Sequence, residues 1–284
     1  MKCGDIIKKL ISVIIPAHNE ERTIEECLES VLNQKHFDRL IGEIIVVEDY
    51  STDRTSEILR KYEDRVKIIR NKKNLGLSKS LNIGLKKTRF DFVCTLHADC
   101  ILPKNWFEEQ MKHFNKKVAV VTSKIILPTS IWDNFNFWNK IFFSKFLKPR
   151  KIICENKCDI YRKDILEKIG WLSKDFRVAG EDFDLYCKLK KRGYKVYSSD
   201  LLVKHIMSSH QRGFWNYLKK ELQYGEARGV ILRKHKFLIL FNPFAFKIFK
   251  DWKLIFGLPV VIILRCLAHF IGFWKGLITG RQTW

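Results

Sequence analysis

Short runs of apolar and β-branched residues recur through the first 125 positions, at 11–15 (ISVII), 43–47 (EIIVV), 66–69 (VKII), 90–95 (FDFVCT) and 118–122 (VAVVT). Between them, at 20–32, 54–62, 77–87 and 104–114, apolar residues fall at three- and four-residue spacing, as in Ile24, Cys27, Leu28 and Val31. That spacing lines one face of a helix. Continuous apolar strands joined by helices predict a mostly parallel sheet covered on both faces. Such an α/β/α sandwich binds ligands at the carboxyl ends of its strands.

The rhythm breaks at 126–157, where WDNFNFWNKIFFSKFLKPR is aromatic and basic and reads as a loop or an amphipathic surface segment. It resumes with a strand at 158–161, helices at 163–169 and 181–192, a strand at 195–203 and a basic helix at 213–229. No segment repeats at a period of 20–50 residues, which excludes repeat architectures. The tail is dominated by Phe, Ile, Leu and Trp, so the expected division is a main α/β domain over 1–230 and a basic, aromatic, membrane-associating helical tail over 231–284.

The longest uninterrupted apolar run in that tail, 254–264, is shorter than the ~18–20 residues a membrane span requires. Arg265 follows it, where a charge at the bilayer centre costs about 2.5–3.5 kcal/mol. Interfacial or re-entrant helices with Lys and Arg reaching for headgroups fit this pattern, and Trp252 and Trp274 beside Lys253 and Lys275 suit a headgroup boundary. A buried helical pair is the soluble alternative.

Charge adds a partner class. The 284 residues carry a net charge of +22, and residues 188–284 hold 19 Lys and Arg against 4 Asp and Glu. A basic half calls for a polyanion, either a nucleic acid or an anionic membrane face. Because the charge follows apolar and aromatic helices and no nucleic-acid-binding motif, the membrane is the expected partner and nucleic acid is not. The eight cysteines form no CxxC pair and no regular framework, so they read as reduced thiols in a cytoplasmic setting, with Cys154 and Cys158 as loop thiols without a ligand role. No cleavable signal opens the chain.

Chemistry collects where the predicted strands end. The first runs into PAHNEERTIEE, the second into EDYSTDRT and the fourth into HAD, while NKKNLGLSKSLNIGL follows the third. There is no GxGxxG and no GxxxxGK[ST], which argues against dinucleotide oxidoreductases and P-loop enzymes. The stretch TLHADC places imidazole, carboxylate and thiol within four residues.

In order and spacing, SVIIPAHNEERTIEECLESVLNQ, EIIVVEDYSTDRT, NLGLSKSLNIGL, HAD and GED resemble the family 2 inverting glycosyltransferases of GT-A fold over residues 10–230. The resemblance implies that Pro16, Ala17, Asn19, Glu20, Glu48, Asp49, Asn74, Gly76 and Arg212 hold a nucleotide-sugar, expected to be a UDP-sugar. Where the family pattern reads Asp-Asp-Gly-Ser, this chain has Glu48-Asp49-Tyr50-Ser51, with a ring at Tyr50 able to stack on a base. HAD occupies the place of the metal-binding DxD, which implies Mn²⁺ or Mg²⁺ on Asp99, with His97 and His205 as further candidate ligands and Cys100 as a bystander. GEDFDLYCKLKKRG matches the acceptor-side motif and implies Asp182 as general base with Glu181 beside it, leaving Asp184 solvated or capping.

The expected function is metal-assisted, inverting transfer of a sugar to a lipid-linked or polysaccharide acceptor at the cytoplasmic face of the membrane. The departures EDY and HAD motivate a second reading, a catalytically silent GT-A protein that binds a nucleotide-sugar without turnover.

Overall fold

The computed structural model describes residues 10–144, 154–207, 213–236 and 252–283. Strands β1 (Ile11–Ala17), β2 (Ile41–Glu48), β3 (Lys67–Arg70), β4 (Phe92–Leu96), β5 (Cys100–Ile101), β6 (Val118–Ile126), β7 (Cys158–Arg162) and β8 (Lys195–His205) form one sheet in the order β3-β2-β1-β4-β7-β6-β8-β5. The pairs β1–β2, β1–β4, β2–β3 and β6–β8 are parallel. Strand β7 enters antiparallel between β4 and β6, and β5 pairs antiparallel with β8.

Helices α1 (Ile24–Leu32), α2 (Phe37–Leu40), α3 (Thr55–Arg60), α4 (Leu77–Leu85), α5 (Trp106–Met111), α6 (Thr129–Asp133), α7 (Phe137–Phe143), α8 (Lys163–Lys168), α9 (Glu181–Lys191), α10 (Phe214–His235) and α11 (Leu258–Thr279) complete the described secondary structure, with a 3-10 turn at Trp252–Gly257. The two-residue period of a strand divides β1 between two cores. Val13 and Ile15 pack under α1, α3 and α5 through Cys27, Leu28, Leu59 and Trp106. Ile14 faces the opposite way, toward Leu81 and Leu85 of α4 and Leu185 and Leu189 of α9. The expected sandwich is therefore present, with helix ends shifted by a few residues. Residues 18–23, for instance, are a turn closed by Glu20, whose carbonyl accepts from the amides of Thr23 and Ile24.

Part of the 126–157 stretch is helical. Trp132, Phe135, Ile141, Phe142 and Phe143 of α6, α7 and their junction are buried against Tyr217 and Val261. The Phe142 and Tyr217 rings stack with centroids 4.0 Å apart, while Phe137 and Trp138 on the other side of α7 are exposed. The expectation of loop thiols at Cys154 and Cys158 is corrected: Cys158 lies in β7 and both are buried, Cys154 within 3.1 Å of the Tyr161 hydroxyl.

The tail holds one long helix among the described residues, α11, which by length and composition alone suffices to cross a membrane. It packs along α10 at Gly225, Gly229, Gly272 and Gly276, where a Cβ would overlap backbone atoms of the opposing helix. Small residues let two helix backbones approach this closely. Arg265, the charge that interrupts the apolar run, is buried and donates from Nε to Glu221 Oε2 at 3.1 Å, and His269 Nδ1 lies 3.0 Å from the same oxygen. The outward side of α11 is apolar and exposed at Ile263, Leu267, Phe270, Ile271, Trp274 and Ile278. Residue 230, where the expected domain division falls, lies inside α10.

Candidate active site

At the carboxyl ends of β1, β2 and β4 the sheet opens into a cavity of about 520 Å³. Pro16, Ala17, Asn19, Glu20, Asp49, Asn74, Gly76, His97, Asp99 and His205 all line it. Asp49 is buried, and its carboxylate shapes one wall: Oδ1 accepts from Asn71 Nδ2 and the Leu75 amide, and Oδ2 from the Gly76 amide, each at 2.8 Å. Gly76 takes φ +84° against Arg177, where a Cβ would overlap the Arg177 carbonyl. A glycine satisfies both demands at once. Asn19 Oδ1 accepts from the Thr52 amide at 2.8 Å, tying the first strand's loop to the second's.

Two predicted residues sit differently. Glu48 is buried with Oε1 on the Ser51 amide at 2.5 Å, so its side chain closes the turn and does not line the cavity. Tyr50 adopts φ +61°, a left-handed backbone that glycine takes without steric cost, and its ring is exposed and off the cavity wall. Arg212 lies outside the described residues.

Strand β5 explains how Asp99, Cys100 and His205 come together. A turn closed by the Cys100 amide on the His97 carbonyl leads into β5, where Cys100 pairs with His205 of β8. This brings His205 Nε2 to 3.0 Å from Asp99 Oδ2. The ligand atoms of Asp99, Cys100 and His205 lie within 4.8 Å of one another, and His97 stands on the same cavity wall outside that trio. Burial alone would lift the Asp99 carboxyl, but the adjacent His205 charge and hydrogen bond outweigh it and hold the group well below the usual carboxylate range. Burial pushes His97 down to about 3 against the pull of Asp99, and its Nε2 has no hydrogen-bond partner among the described residues. Burial also raises the Cys100 thiol, with Asp99 adding to the effect. A carboxylate oxygen and imidazole nitrogens suit Mn²⁺, and a thiol kept protonated by burial does not compete for it. The residues present therefore fit a hard divalent cation.

A second cavity of about 310 Å³ adjoins the first, and both are lined by Leu77, His97, Lys157, Val178 and Tyr224. Glu181 and Asp182, on the first turn of α9, face into it. Burial and then the neighbouring Asp182 push the Glu181 carboxyl up, and burial and then Glu155 push Asp182 up. Glu181 Oε1 accepts from Asn156 Nδ2 at 3.4 Å, whereas Oε2 is buried without a hydrogen bond among the described residues. Asp184 is neither solvated nor a cap. It is fully buried between Lys188, Lys234 and His235, at 3.0, 3.1 and 2.8 Å, and pins α9 to the end of α10.

Three further groups on these walls belong to no sequence motif. Lys157 stands between the cavities on a loop held by Asp159, whose Oδ2 accepts from the Glu155 and Asn156 amides at 3.0 and 2.8 Å. Lys220 and Tyr224 come from successive turns of α10. Burial, then repulsion from Lys157, push the Lys220 ammonium down to about 8. Helical spacing marks that face of α10, but only the fold says that it faces a cavity.

Comparison with known proteins identifies the family and the fold. Residues 12–170 match the model of glycosyl transferase family 2. The chain is 26% identical to a dolichyl N-acetyl-alpha-D-glucosaminyl phosphate 3-beta-D-2,3-diacetamido-2,3-dideoxy-beta-D-glucuronosyltransferase of Methanococcus voltae, over 96% of this chain and 98% of that one. It is 28% identical to the amylovoran biosynthesis glycosyltransferase AmsE of Erwinia amylovora, over 75% and 84%. Among solved structures, a mannosyltransferase of Pyrobaculum calidifontis in complex with GDP-Man and Mn²⁺ superposes with a TM-score of 0.58 at 18% identity, over 91% of this chain and 73% of that one. GalNAc-T7 with UDP, GalNAc and Mn²⁺ gives 0.57 at 17% identity, over 90% and 55%. The architecture is thus the GT-A fold, and the chain belongs to glycosyl transferase family 2.

Proposed function

We propose that this glycosyltransferase moves a sugar from a nucleotide-sugar, UDP-linked, to a lipid-linked or polysaccharide acceptor with inversion at the anomeric carbon. The observation that carries this reading is the pair of joined cavities, one holding Asp49, Asp99 and His205 and the other Glu181 and Asp182. The first takes the donor: the Asp49-braced loop shapes the nucleotide side, and Lys157 and Lys220 offer positive charge to the diphosphate. Asp99 and His205, with His97 beside them, would hold Mn²⁺ or Mg²⁺, which neutralises charge developing on the departing diphosphate.

The acceptor enters the second cavity. Asp182 takes the proton of its hydroxyl as that oxygen bonds to the anomeric carbon and the bond to the diphosphate breaks on the opposite side. The Methanococcus relative's name specifies a dolichyl phosphate-linked acceptor, and the outward apolar face of α11 suits a protein working against lipid. Together with the basic tail, this supports a site on the anionic cytoplasmic leaflet and the tail as a membrane-associating unit appended to the catalytic domain.

The test is a nucleotide-sugar screen for thermal stabilisation with Mn²⁺ or Mg²⁺ present, followed by a transfer assay on the donor that binds. Asp99→Ala and Asp182→Ala should each abolish transfer. Turnover that survives both substitutions, or stabilisation without product in the unmodified protein, overturns the reading.

A further inference from the structure

Residues beyond α11 return to the site. Gln282 is 7% exposed, and its Oε1 accepts from three consecutive amides, Arg177, Val178 and Ala179, at 2.8, 2.7 and 3.2 Å. Its Nε2 donates to the Gln223 carbonyl of α10 at 3.0 Å, and its own amide donates to the Asp175 carbonyl at 2.6 Å. Thr283 adds bonds from its amide and hydroxyl to Glu226 Oε1 at 3.0 and 2.7 Å. The three amides precede Gly180 and the first turn of α9, so no helix supplies them with acceptors. The same loop serves both cavities. The Arg177 carbonyl accepts from the Leu77 amide at 2.9 Å, its guanidinium donates to Asn74 Oδ1 at 3.1 Å, and Val178 lines both walls. Glu181 and Asp182 follow two residues later.

We infer that Gln282 is a positioning residue for the transferase site, setting the 177–179 loop and through it both the donor wall at Asn74–Gly76 and the acid pair of α9. This rests on the transferase reading for its kinetic consequence, while the loop geometry stands alone. The experiment compares Gln282→Ala, Gln282→Glu and Thr283→Val in the full chain, by amide hydrogen exchange and by steady-state kinetics. In Gln282→Ala, exchange at 177–179 should quicken and kcat should fall, each by about tenfold, the factor of roughly one lost hydrogen bond. Gln282→Glu keeps the accepting oxygen and should restore most of both. Thr283→Val loosens the same segment without touching the loop and should leave kcat within twofold.

Unchanged exchange at 177–179 in Gln282→Ala overturns the inference, as does faster exchange with kcat intact, or a Thr283→Val that loses kcat equally. If the unmodified protein transfers no sugar, the transferase reading fails, and the exchange comparison still decides whether Gln282 sets the loop.

Discussion

His205 Nε2 lies 3.0 Å from Asp99 Oδ2 although 106 residues separate them, because the two-residue strand β5 pairs Cys100 with His205. The contact joins the turn after β4 to the end of β8, and it makes β8 part of the wall proposed to hold the metal. Asp99→Asn keeps the hydrogen-bonding shape but removes the charge a cation needs. Transfer should fall by at least about 100-fold, in the range for a lost electrostatic contact to the transition state. Calorimetric titration with Mn²⁺ should show weakened binding in the same variant, and undiminished Mn²⁺ affinity would remove Asp99 from the metal site.

In the proposed reaction Asp182 is the general base. Asp182→Asn should lower kcat by roughly 10²–10⁴, the usual contribution of a positioned general base. Because burial and nearby acids push both carboxyls of the pair up, the acid limb of kcat/KM should lie well above the ordinary carboxylate range of about 4. Activity rises with pH through that limb as the base loses its proton. Stability runs the other way, since a raised carboxyl pKa favours the folded state only while the proton is held. Glu155→Gln removes the charge that, after burial, does most to raise Asp182 and should move the limb toward acid; a pH–rate profile unchanged in that variant would count against Asp182 as the titrating base.

Asp184 belongs to stability. Its ion pairs outweigh burial and hold its carboxyl below the usual range, so its contribution is present above about pH 4 and lost as pH falls through the folded value. Asp184→Asn leaves Lys188, Lys234 and His235 without their shared partner, at a cost of about 2–3 kcal/mol after allowance for the partly exposed lysines. Denaturant unfolding at pH 7 measures this loss. The difference from the unmodified protein should shrink when the experiment is repeated at pH 3.

The outward side of α11 should govern lipid contact. Replacing Ile263 and Phe270, both exposed, with Glu removes apolar area and places negative charge toward an anionic surface. Sedimentation with anionic vesicles should fall by more than about tenfold, given roughly 1.5–3 kcal/mol for each large apolar side chain transferred from water. Thermal stabilisation by nucleotide-sugar should persist, since neither residue lines a cavity. Vesicle binding that survives the double substitution points to another lipid-facing surface.

The donor side was legible because each strand announces itself by an apolar run and its ligand-facing residues follow at once, as Pro16 to Glu20 follow β1. Asp99 was legible for the same reason. What joins distant segments was not. A two-residue β5 has no period to detect, so the reason His205 meets Asp99 was invisible, although His205 itself stood out at a strand end. Asp184 shares its turn with Asp182, and nothing local separates them; the separation comes from Lys234 and His235, some 50 residues on. Arg265 reads as a misplaced charge until Glu221 of α10 is set opposite it.

The glycine seam between α10 and α11 places the tail under a mechanical constraint. The helix whose Gly225 and Gly229 touch α11 carries Lys220 and Tyr224 on the wall of the larger of the two joined cavities. Gly229→Val therefore acts as a wedge: the two helices must part, and the separation is transmitted along a stiff rod to side chains that touch no part of the substituted residue. The apolar outward side of α11 and the cavity wall of α10 are opposite sides of one lever, with its fulcrum at four missing methyl groups.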